Sequence, residues 1–597
     1  MTLSSADLGD VDEGRRDRWA GWMPTRSPRT TITVVAAAVV VAAAAGAPLL
    51  YDGAFFFYQA VNRQQIVIPQ ARITFGLLLW PVVVASHLTD NVALLRLAFG
   101  LPLAVTPVIS LAASWWIVRR DRPELFVWAA FGVLLVNLPG QTHWVATSLR
   151  TNQLLWPVLL AVLIGLPDRV LPVVAVLALA AVNLHPQATV YFFFIAGTCV
   201  ILASRQPDGR DRYLAAAGVF AVAGMYRAGV VAPGYEVDEA SASNQAAQWK
   251  ESVLGWPLAM LVGVFATSAL LVVARLRPTR RRPLILLAAA LSVAGGLAML
   301  GWSADPSLWR SAIQYRGPSM FHGLAMMTVA VVDRLAGDRY RSGPPADVLG
   351  ARMGFATGAA VVFAAVIVTQ AAGVRSERQA ILAEMRSAPT GCVPYSAVSS
   401  LAGSPLDFWS TPAMSLLIDG TRPSRILLPD SACTEAVASG RIPVTTLDND
   451  DIVKDRHIDH GALRSGMDEQ HPCRVRFSSG WSGVEELPSG TLRRMTASRS
   501  RLEVDLTEPE TIALRGTAWR PTGVEDLEIV VDGQMADRVD FASGPFTALT
   551  GRALALEAGH HVIELRDAAH RTGPDGATLL DLGLSIDDGQ TACRVIS

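Results

Sequence analysis

Residues 50–59 read LYDGAFFFYQ, and the rest of the chain is organised around them. They follow the first long apolar segment and begin an aromatic, half-polar stretch that continues to about Asp90. Asp52 stands at this exit, next to the flexible Gly53. A carboxylate at membrane depth is costly and is usually retained for function, so Asp52 is the first candidate for a catalytic acid or base.

The composition is that of a membrane protein with a water-soluble part. Of 597 residues, 51% are hydrophobic and 17% are charged, and the mean hydropathy is +0.33. Roughly the first 375 residues form apolar blocks separated by arginine clusters, whereas the remainder has a soluble composition. The chain carries no P-loop, dinucleotide fingerprint or nucleophile elbow, and a net charge of −1 gives no sign of nucleic-acid binding. Cytoplasmic nucleotide chemistry is therefore not expected.

The apolar runs predict a polytopic α-helical membrane bundle over residues 31–373, with about eleven spans. Residues 1–30 are expected to be a disordered cytoplasmic tail, and the Ala/Val run from Thr30 to Leu50 is the first span. Residues 51–90 form a first outer loop, in which 72–86 is interpreted as helices lying along the membrane interface. The remaining spans are expected near residues 91–118, 124–139, 152–166, 170–184, 187–204, 212–231, 254–275, 283–301, 319–334 and 351–373.

The distribution of basic residues fixes the predicted orientation. With residues 72–86 excluded as a span, the inside segments collect roughly 21 Lys and Arg residues and the outside loops roughly 6. Counting 72–86 as a span would place the basic clusters on the wrong side. The N-terminus is then cytoplasmic, and everything after about Thr369 is extracytoplasmic.

The exported part is predicted to contain two regions. Residues 374–472 mix patterns, with helical spacing at 375–386 and a buried-strand pattern at 425–428, and are interpreted as an extracytoplasmic α/β connector. Residues 473–597 contain about eight short alternating segments, which predict a β-sandwich. Asp532-Gly533 between two such segments is a hairpin signal.

Four of the five cysteines lie in this exported part and predict two disulfides. The near-repeat Cys473-Arg474-Val475 and Cys593-Arg594-Val595 suits two neighbouring strands bridged to each other, which leaves Cys392 with Cys433. Four free buried thiols are the alternative.

The order of an N-terminal span, the motif Tyr51-Asp52-Gly53 followed by aromatic residues, and a long first outer loop resembles the GT-C superfamily of polytopic membrane glycosyltransferases. The resemblance covers residues 30–375 in topology and 51–58 as a motif. It implies a polyprenyl-phosphate sugar donor, Asp52 as the catalytic base, and often a divalent metal, Mg²⁺ or Mn²⁺, which Asp52 would help to bind. Several members carry paired acids in this loop, whereas here no second acid follows Asp52 until Asp90.

Other polar residues of the predicted outer face are candidates for binding the donor, because a phosphate leaving group needs cationic partners. For His143 the alternative is a helix cap, for His185 a structural turn before Pro186, and for Arg310, Tyr315 and Arg316 snorkelling to the interface. The candidate substrate-binding residues are Tyr51, His143, Arg150, His185, Arg310, Tyr315 and Arg316.

In the soluble part, residues 479–483 followed by alternating strands resemble the jelly-roll, carbohydrate-binding sandwiches appended to such enzymes. Trp481 would then stack on a sugar, although core packing is the alternative for a strand tryptophan. The predicted function is transfer of a sugar to an envelope glycan or lipid acceptor at the outer face of a bacterial plasma membrane. The alternative is a non-catalytic protein that binds glycan or takes part in transport or assembly of lipid-linked glycan.

Overall fold

The structure is a computed structural model. The predicted tail before Pro28 and the predicted site residues His143, Arg310 and Trp481 lie outside the residues that it describes, as does the side chain of Arg316. The described residues are 28–66, 68, 72–141, 144–230, 256–309, 315–338, 346–408, 410–417, 420–439, 457–471, 473–480, 485–487, 490–495, 499–519, 527–539, 546–550, 553–567, 578–586 and 593–596.

The chain divides into two compact units. The first comprises Met1–Ile381 with Ser400–Met414, and the second comprises Leu382–Ser399 with Ser415–Ser597. The first is helical where it is described, and the second combines a short parallel sheet with two larger sheets.

The helices of the first unit follow the apolar runs of the sequence. They are α1 (Pro28–Ala45), α2 (Asp52–Arg63), α3 (Ile73–Ser86), α4 (Val92–Ala104), α5 (Thr106–Val118), α6 (Phe126–Ala130), α7 (Thr147–Leu163), α8 (Leu171–Val182), α9 (Ala188–Arg205), α10 (Arg210–Gly229), α11 (Trp256–Leu276), α12 (Arg281–Ser303), α13 (Arg316–Asp338) and α14 (Ala346–Ser387), the last of which continues into the second unit.

Within the described residues, seven helical segments are long and apolar enough to cross a membrane. Large apolar side chains also point away from the protein interior, as on α12, where Leu286, Val293 and Leu297 are more than half exposed. Exposed apolar faces of this kind suit contact with lipid. The chain is therefore a membrane protein. The seven segments are Pro28–Ala45, Val92–Val118, Pro123–Gly140, Ala188–Arg205, Leu258–Leu276, Arg281–Ser303 and Asp347–Ser387.

Two of these segments are irregular. The run 91–118 is divided into α4 and α5 at Val105, just before Pro107, because proline cannot donate an intrahelical hydrogen bond. After α6 the helix widens into a π-helical turn, Phe131–Leu135. The amide of Asn137 donates to the carbonyl of Gly132 (2.7 Å) in that turn. Widened turns of this kind are frequent at functional sites.

The segment after the first apolar run forms two helices, α2 and α3. Most side chains of α2 are buried, and Phe56 packs edge-on against Phe75 of α3, with 5.0 Å between ring centroids. With 14 residues, α3 is only about 21 Å long, which is shorter than the hydrocarbon core of a bilayer.

The second unit begins with a small α/β region. Strands β1 (Gly391–Pro394) and β2 (Arg425–Leu428) pair in parallel, and the helices in this region are α15 (Thr411–Leu416), which starts in the first unit, α16 (Asp430–Ser439) and α17 (Gly461–Gln470). The predicted buried strand at 425–428 corresponds to β2, whose last three residues are buried.

The remaining strands form two sheets. The first has the order β14-β3-β6-β12-β8-β9, and the second has the order β10-β7-β13-β5-β4, with β11 also paired to β7. Buried side chains from both sheets, including Val504, Ile563 and Ile512, belong to one hydrophobic core. The strands are β3 (Cys473–Phe477), β4 (Glu485–Leu487), β5 (Gly490–Met495), β6 (Arg499–Leu506), β7 (Glu510–Trp519), β8 (Leu527–Val531), β9 (Gln534–Val539), β10 (Phe546–Thr550), β11 (Leu554–Leu556), β12 (Gly559–Asp567), β13 (Thr578–Ile586) and β14 (Arg594–Ile596).

The cysteine pairs are those that the sequence predicts. Cys392 pairs with Cys433, with 5.7 Å between their Cα atoms, and Cys473 pairs with Cys593 at 4.8 Å. The near-repeat places the second pair at the edge of the first sheet, because β14 runs parallel to β3 with Arg594 opposite Arg474. The predicted hairpin is also present: Asp532 and Gly533 both have positive φ and join β8 to β9.

Candidate functional site

The segment that leads to Asp52 is a tight turn built on two glycines. Gly46 follows α1 in the left-handed conformation, with a φ of 81°, and a short 3-10 helix, Ala47–Leu49, comes next. A Cβ atom at Gly53 would collide with the carbonyl oxygen of Pro48. Glycine at both positions therefore lets the chain reverse closely before α2 begins.

The backbone of Tyr51 is strained. Its φ of 55° and ψ of −130° lie in a region that is largely restricted to glycine, which costs about 1–3 kcal/mol. Contacts from distant parts of the chain hold it there. The Tyr51 hydroxyl donates to the Trp309 carbonyl (2.9 Å), the Tyr51 carbonyl accepts from the Ser410 hydroxyl, and the ring packs edge-on against Phe408. Such over-determined strain is typical of functional sites.

Asp52 is the first residue of α2, directly after this strained position. Its side chain is partly exposed, unlike those of Tyr51 and the aromatic Phe55 and Phe57. The positive end of the helix dipole favours a carboxylate at this position. The turn thus holds the partly exposed Asp52 next to buried residues that fix its position.

Arg150 is a buried cation surrounded by neutral oxygen atoms. Its Nη2 donates to the Trp144 carbonyl (3.0 Å) and its Nη1 to Oε1 of Gln153 (3.0 Å), and the amide of Gln141 completes the shell. The guanidinium also lies 5.3 Å from the centre of the Trp144 ring. Over the described ranges, no carboxylate pairs with Arg150. An uncompensated buried charge of this kind attracts an anion.

The Arg150 segment packs against the turn of Asp52. A Cβ atom at Gly53 would lie 3.6 Å from Cγ1 of Val145, which is next to Trp144. The structure therefore brings the start of α2 together with the residues before α7, although the two are far apart in sequence.

Tyr315 joins the same neighbourhood from another side. Its hydroxyl donates to the carbonyl of Val136 (2.8 Å) and lies 3.1 Å from Nδ1 of His322, on which its ring stacks. A Cβ atom at Gly140 would lie 2.9 Å from Leu149 and 3.1 Å from Tyr315, so all three residues meet closely. The buried face of Tyr315 thus contacts the segment that carries Arg150.

His185 has a structural position in the turn between α8 and α9. It is 7% exposed, and its Nδ1 accepts a hydrogen bond from the backbone amide of Gln187 (3.2 Å). The turn that the sequence predicts beside Pro186 is therefore present, and a role of His185 in binding stays a prediction.

No protein-family model matches the chain, and no curated protein matches it significantly. The described residues also contain no group of three or more His, Cys, Asp or Glu side chains that could hold a metal ion. The divalent metal that the GT-C resemblance implies therefore stays a prediction.

A second polar cluster, centred on Asp333, was not predicted from the sequence. Its carboxylate accepts two hydrogen bonds from Arg352 (2.7 and 2.8 Å), one from Arg275 (3.3 Å) and one from the indole of Trp128 (3.0 Å). Asp333 and Arg352 are completely buried. The cluster joins α6, α11, α13 and α14. The only signal in the sequence was the presence of isolated charges near apolar runs.

Proposed function

We propose that this chain is a membrane glycosyltransferase of the GT-C type. It moves a sugar from a polyprenyl-phosphate donor to an envelope glycan or lipid acceptor at the outer face of a bacterial plasma membrane. The observation that carries this proposal is the strained Tyr51 beside the accessible Asp52. A solvated acid at an ordinary helix start would need neither the strain nor the contacts from Trp309 and Ser410.

The proposed topology is a bundle of about eleven spans with an extracytoplasmic C-terminal part. The first outer loop, residues 51–90, then consists of α2 and α3. Its support is the length of α3 and a stripe of exposed apolar residues at helical spacing, Ile73, Leu77, Trp80 and Val84, which would rest on lipid.

In the proposed reaction, the oxygen of an acceptor hydroxyl attacks the anomeric carbon of the donor sugar. The bond from that carbon to the phosphate oxygen breaks, and polyprenyl phosphate leaves with the bonding electrons. Asp52 takes the proton of the hydroxyl as general base. Arg150, Arg310 and Arg316 supply positive charge on the side of the leaving group, with Tyr51, Tyr315, His143 and His185 as further contacts.

The soluble part is proposed to be a jelly-roll-like β-sandwich that holds the acceptor glycan, with Trp481 stacked on a sugar. The support is the common hydrophobic core of the two sheets, which is the arrangement expected of a sandwich. The two cysteine pairs agree with an oxidising, extracytoplasmic location.

The test uses the full chain in lipid nanodiscs with a panel of polyprenyl-phosphate sugars and envelope acceptors. Wild-type protein is expected to release polyprenyl phosphate and to form glycosylated acceptor, whereas Asp52→Asn should lose about 10²–10⁴-fold in rate. Asp90→Asn, at an exposed acid of the same proposed loop, is the matched control. The alternative is a non-catalytic glycan-binding or transport protein. It is favoured if wild-type protein binds donor or acceptor but transfers no sugar, and if Asp52→Asn binds equally well.

A further inference from the structure

Three arginines from two helices lie close together without acidic partners. Arg96 is on α4, and Arg375 and Arg378 are three residues apart on α14, so they share a helix face. Arg378 experiences electrostatic repulsion from both of the others. In the part of the chain that the structure describes, none of the three forms an ion pair. Repulsion between neighbouring positive charges destabilises a protein unless a bound anion neutralises them.

Arg378 also has hydrogen-bonding capacity that the protein does not use. Its Nε and Nη1 atoms are shielded from solvent, and neither has a hydrogen-bond partner. Burying a guanidinium donor without an acceptor is costly, so native proteins rarely leave it in that state. The two unpaired donors and the neighbouring positive charges both suit an anionic ligand.

This arginine cluster, Arg96, Arg375 and Arg378, adjoins the turn before Asp52. A side chain at Gly46 would collide with Nη1 of Arg378. Gly100, one helical turn after Arg96, packs against the ring of Pro48, since a Cβ atom there would lie 3.0 Å from Cγ. Both arginine-bearing helices therefore contact residues 46–48.

The helices that carry the cluster expose apolar side chains. On α14, Val368 is 41% exposed and lies about two turns before Arg375 on the same helix face, and on other faces of α4 Leu94 is 53% exposed and Leu101 is 37% exposed. In a membrane protein these side chains face hydrocarbon tails. An anion that reaches the cluster along this surface would be attached to a lipid.

We propose that Arg96, Arg375 and Arg378 form a binding site for the phosphate group of a membrane lipid. Guanidinium groups bind phosphate oxygens through paired hydrogen bonds, and a doubly charged phosphate monoester would neutralise most of the cluster. The proposal does not depend on sugar transfer. The lipid can be a polyprenyl monophosphate or an anionic phospholipid, which share this chemistry.

The site is tested by thermal unfolding of the full chain in detergent, with and without added lipid. The probes are a polyprenyl monophosphate, phosphatidylglycerol, phosphatidylcholine and inorganic phosphate. We expect one of the two anionic lipids to raise the unfolding temperature of wild-type protein by several degrees, and the zwitterionic lipid to have no effect. Arg378→Gln and Arg96→Gln should abolish this shift, while Arg205→Gln, at an exposed arginine at the end of α9, should retain it.

The lipid-free proteins give a second readout. Arg378→Gln removes the repulsion with Arg96 and Arg375 and removes a buried charge that has unpaired donors. The unfolding temperature of this variant without lipid should therefore equal or exceed that of wild type. A large fall would show that the cluster is structural and would overturn the proposal. If Arg378→Gln does not fold, Arg375→Gln takes its place, because Arg375 is exposed. Lipid should raise the unfolding temperature of this variant by less than it does for wild type. The proposal also fails if all variants keep the shift, or if inorganic phosphate alone reproduces it.

Discussion

The hydroxyl of Tyr51 donates a 2.9 Å hydrogen bond to the backbone carbonyl of Trp309, a residue 258 positions later in the chain. This bond connects the start of α2 to the segment before α13. Trp309 in turn packs closely on α14, where a side chain at Gly373 would meet its ring at 2.7 Å. The position of Asp52 therefore depends on residues from the end of the helical unit.

Removing that hydroxyl should loosen the turn at Asp52. Tyr51→Phe keeps the ring contact with Phe408 and loses one buried hydrogen bond, which is expected to lower the free energy of unfolding by about 1 kcal/mol. Turnover should fall by more than this loss of stability explains, because Asp52 is no longer held in place. Thermal unfolding and transfer rate measure the two effects separately. Tyr226→Phe, at a half-exposed tyrosine, should change neither.

The ion cluster around Asp333 should be important for stability. Asp333→Asn leaves the buried charge of Arg352 uncompensated and leaves Arg275 with only a long contact to Glu124 (4.0 Å), so a loss of about 3–5 kcal/mol is expected. The matched control is Asp347→Asn, which breaks the exposed pair with Arg281 (3.2 Å) and should cost less than about 1 kcal/mol. Unfolding in detergent compares the two variants. Equal losses would refute a special role for the buried cluster.

The Cys473–Cys593 pair closes a loop of 120 residues around the two sheets. Loop-closure entropy predicts that Cys593→Ser destabilises this part of the protein by about 5 kcal/mol. The effect should appear as faster hydrogen exchange in β3 and β14, with α12 unchanged as an internal control. Protein purified without reductant should resist maleimide labelling at all four paired cysteines. Labelling of the native wild-type chain at Cys473 would contradict the pairing.

A pH-dependent contact lies at the β8–β9 hairpin. Hydrogen bonds from the Val562 amide and the His561 ring lower the pKa of Asp532. Partial burial lowers the pKa of His561, but hydrogen bonds to Asp532 and the Glu557 carbonyl outweigh it, so this pKa is raised above 6.5. The Asp532 contribution is lost as pH falls below its usual range near 3.8, and the His561 contribution is lost as pH rises above 6.5.

The hairpin should therefore be most stable between about pH 4 and 6.5. NMR titration of His561 measures this directly. Asp532→Asn is expected to lower the pKa of His561 while keeping the turn, because asparagine tolerates the positive φ of this position. An unchanged His561 titration in that variant would rule out the coupling.

Sequence patterns located most helices of the membrane part. The runs predicted at 124–139, 187–204 and 283–301 correspond to Pro123–Gly140, Ala188–Arg205 and Arg281–Ser303, because long apolar runs bounded by charged or proline-rich segments leave few alternatives. The helical spacing predicted at 375–386 was also correct. It continues α14 without a break, since an Ala-, Glu- and Arg-rich sequence stays helical after the apolar part ends.

The site was only partly predictable. Asp52 was chosen as a candidate from its place after an apolar run, but the strain at Tyr51 depends on Ser410 and Trp309, which no local pattern links to it. The Asp333 cluster was missed for the same reason, because its four residues come from four different helices. Charges that pair across a bundle are recognised only when the helices are assembled.

The most direct test of the account is a single-turnover measurement with Asp52→Asn and saturating polyprenyl-phosphate sugar. If Asp52 is the general base, this variant should bind donor with wild-type affinity and transfer sugar at least about 10²-fold more slowly. Transfer at the wild-type rate with unchanged donor affinity would contradict the assignment of Asp52 as the base.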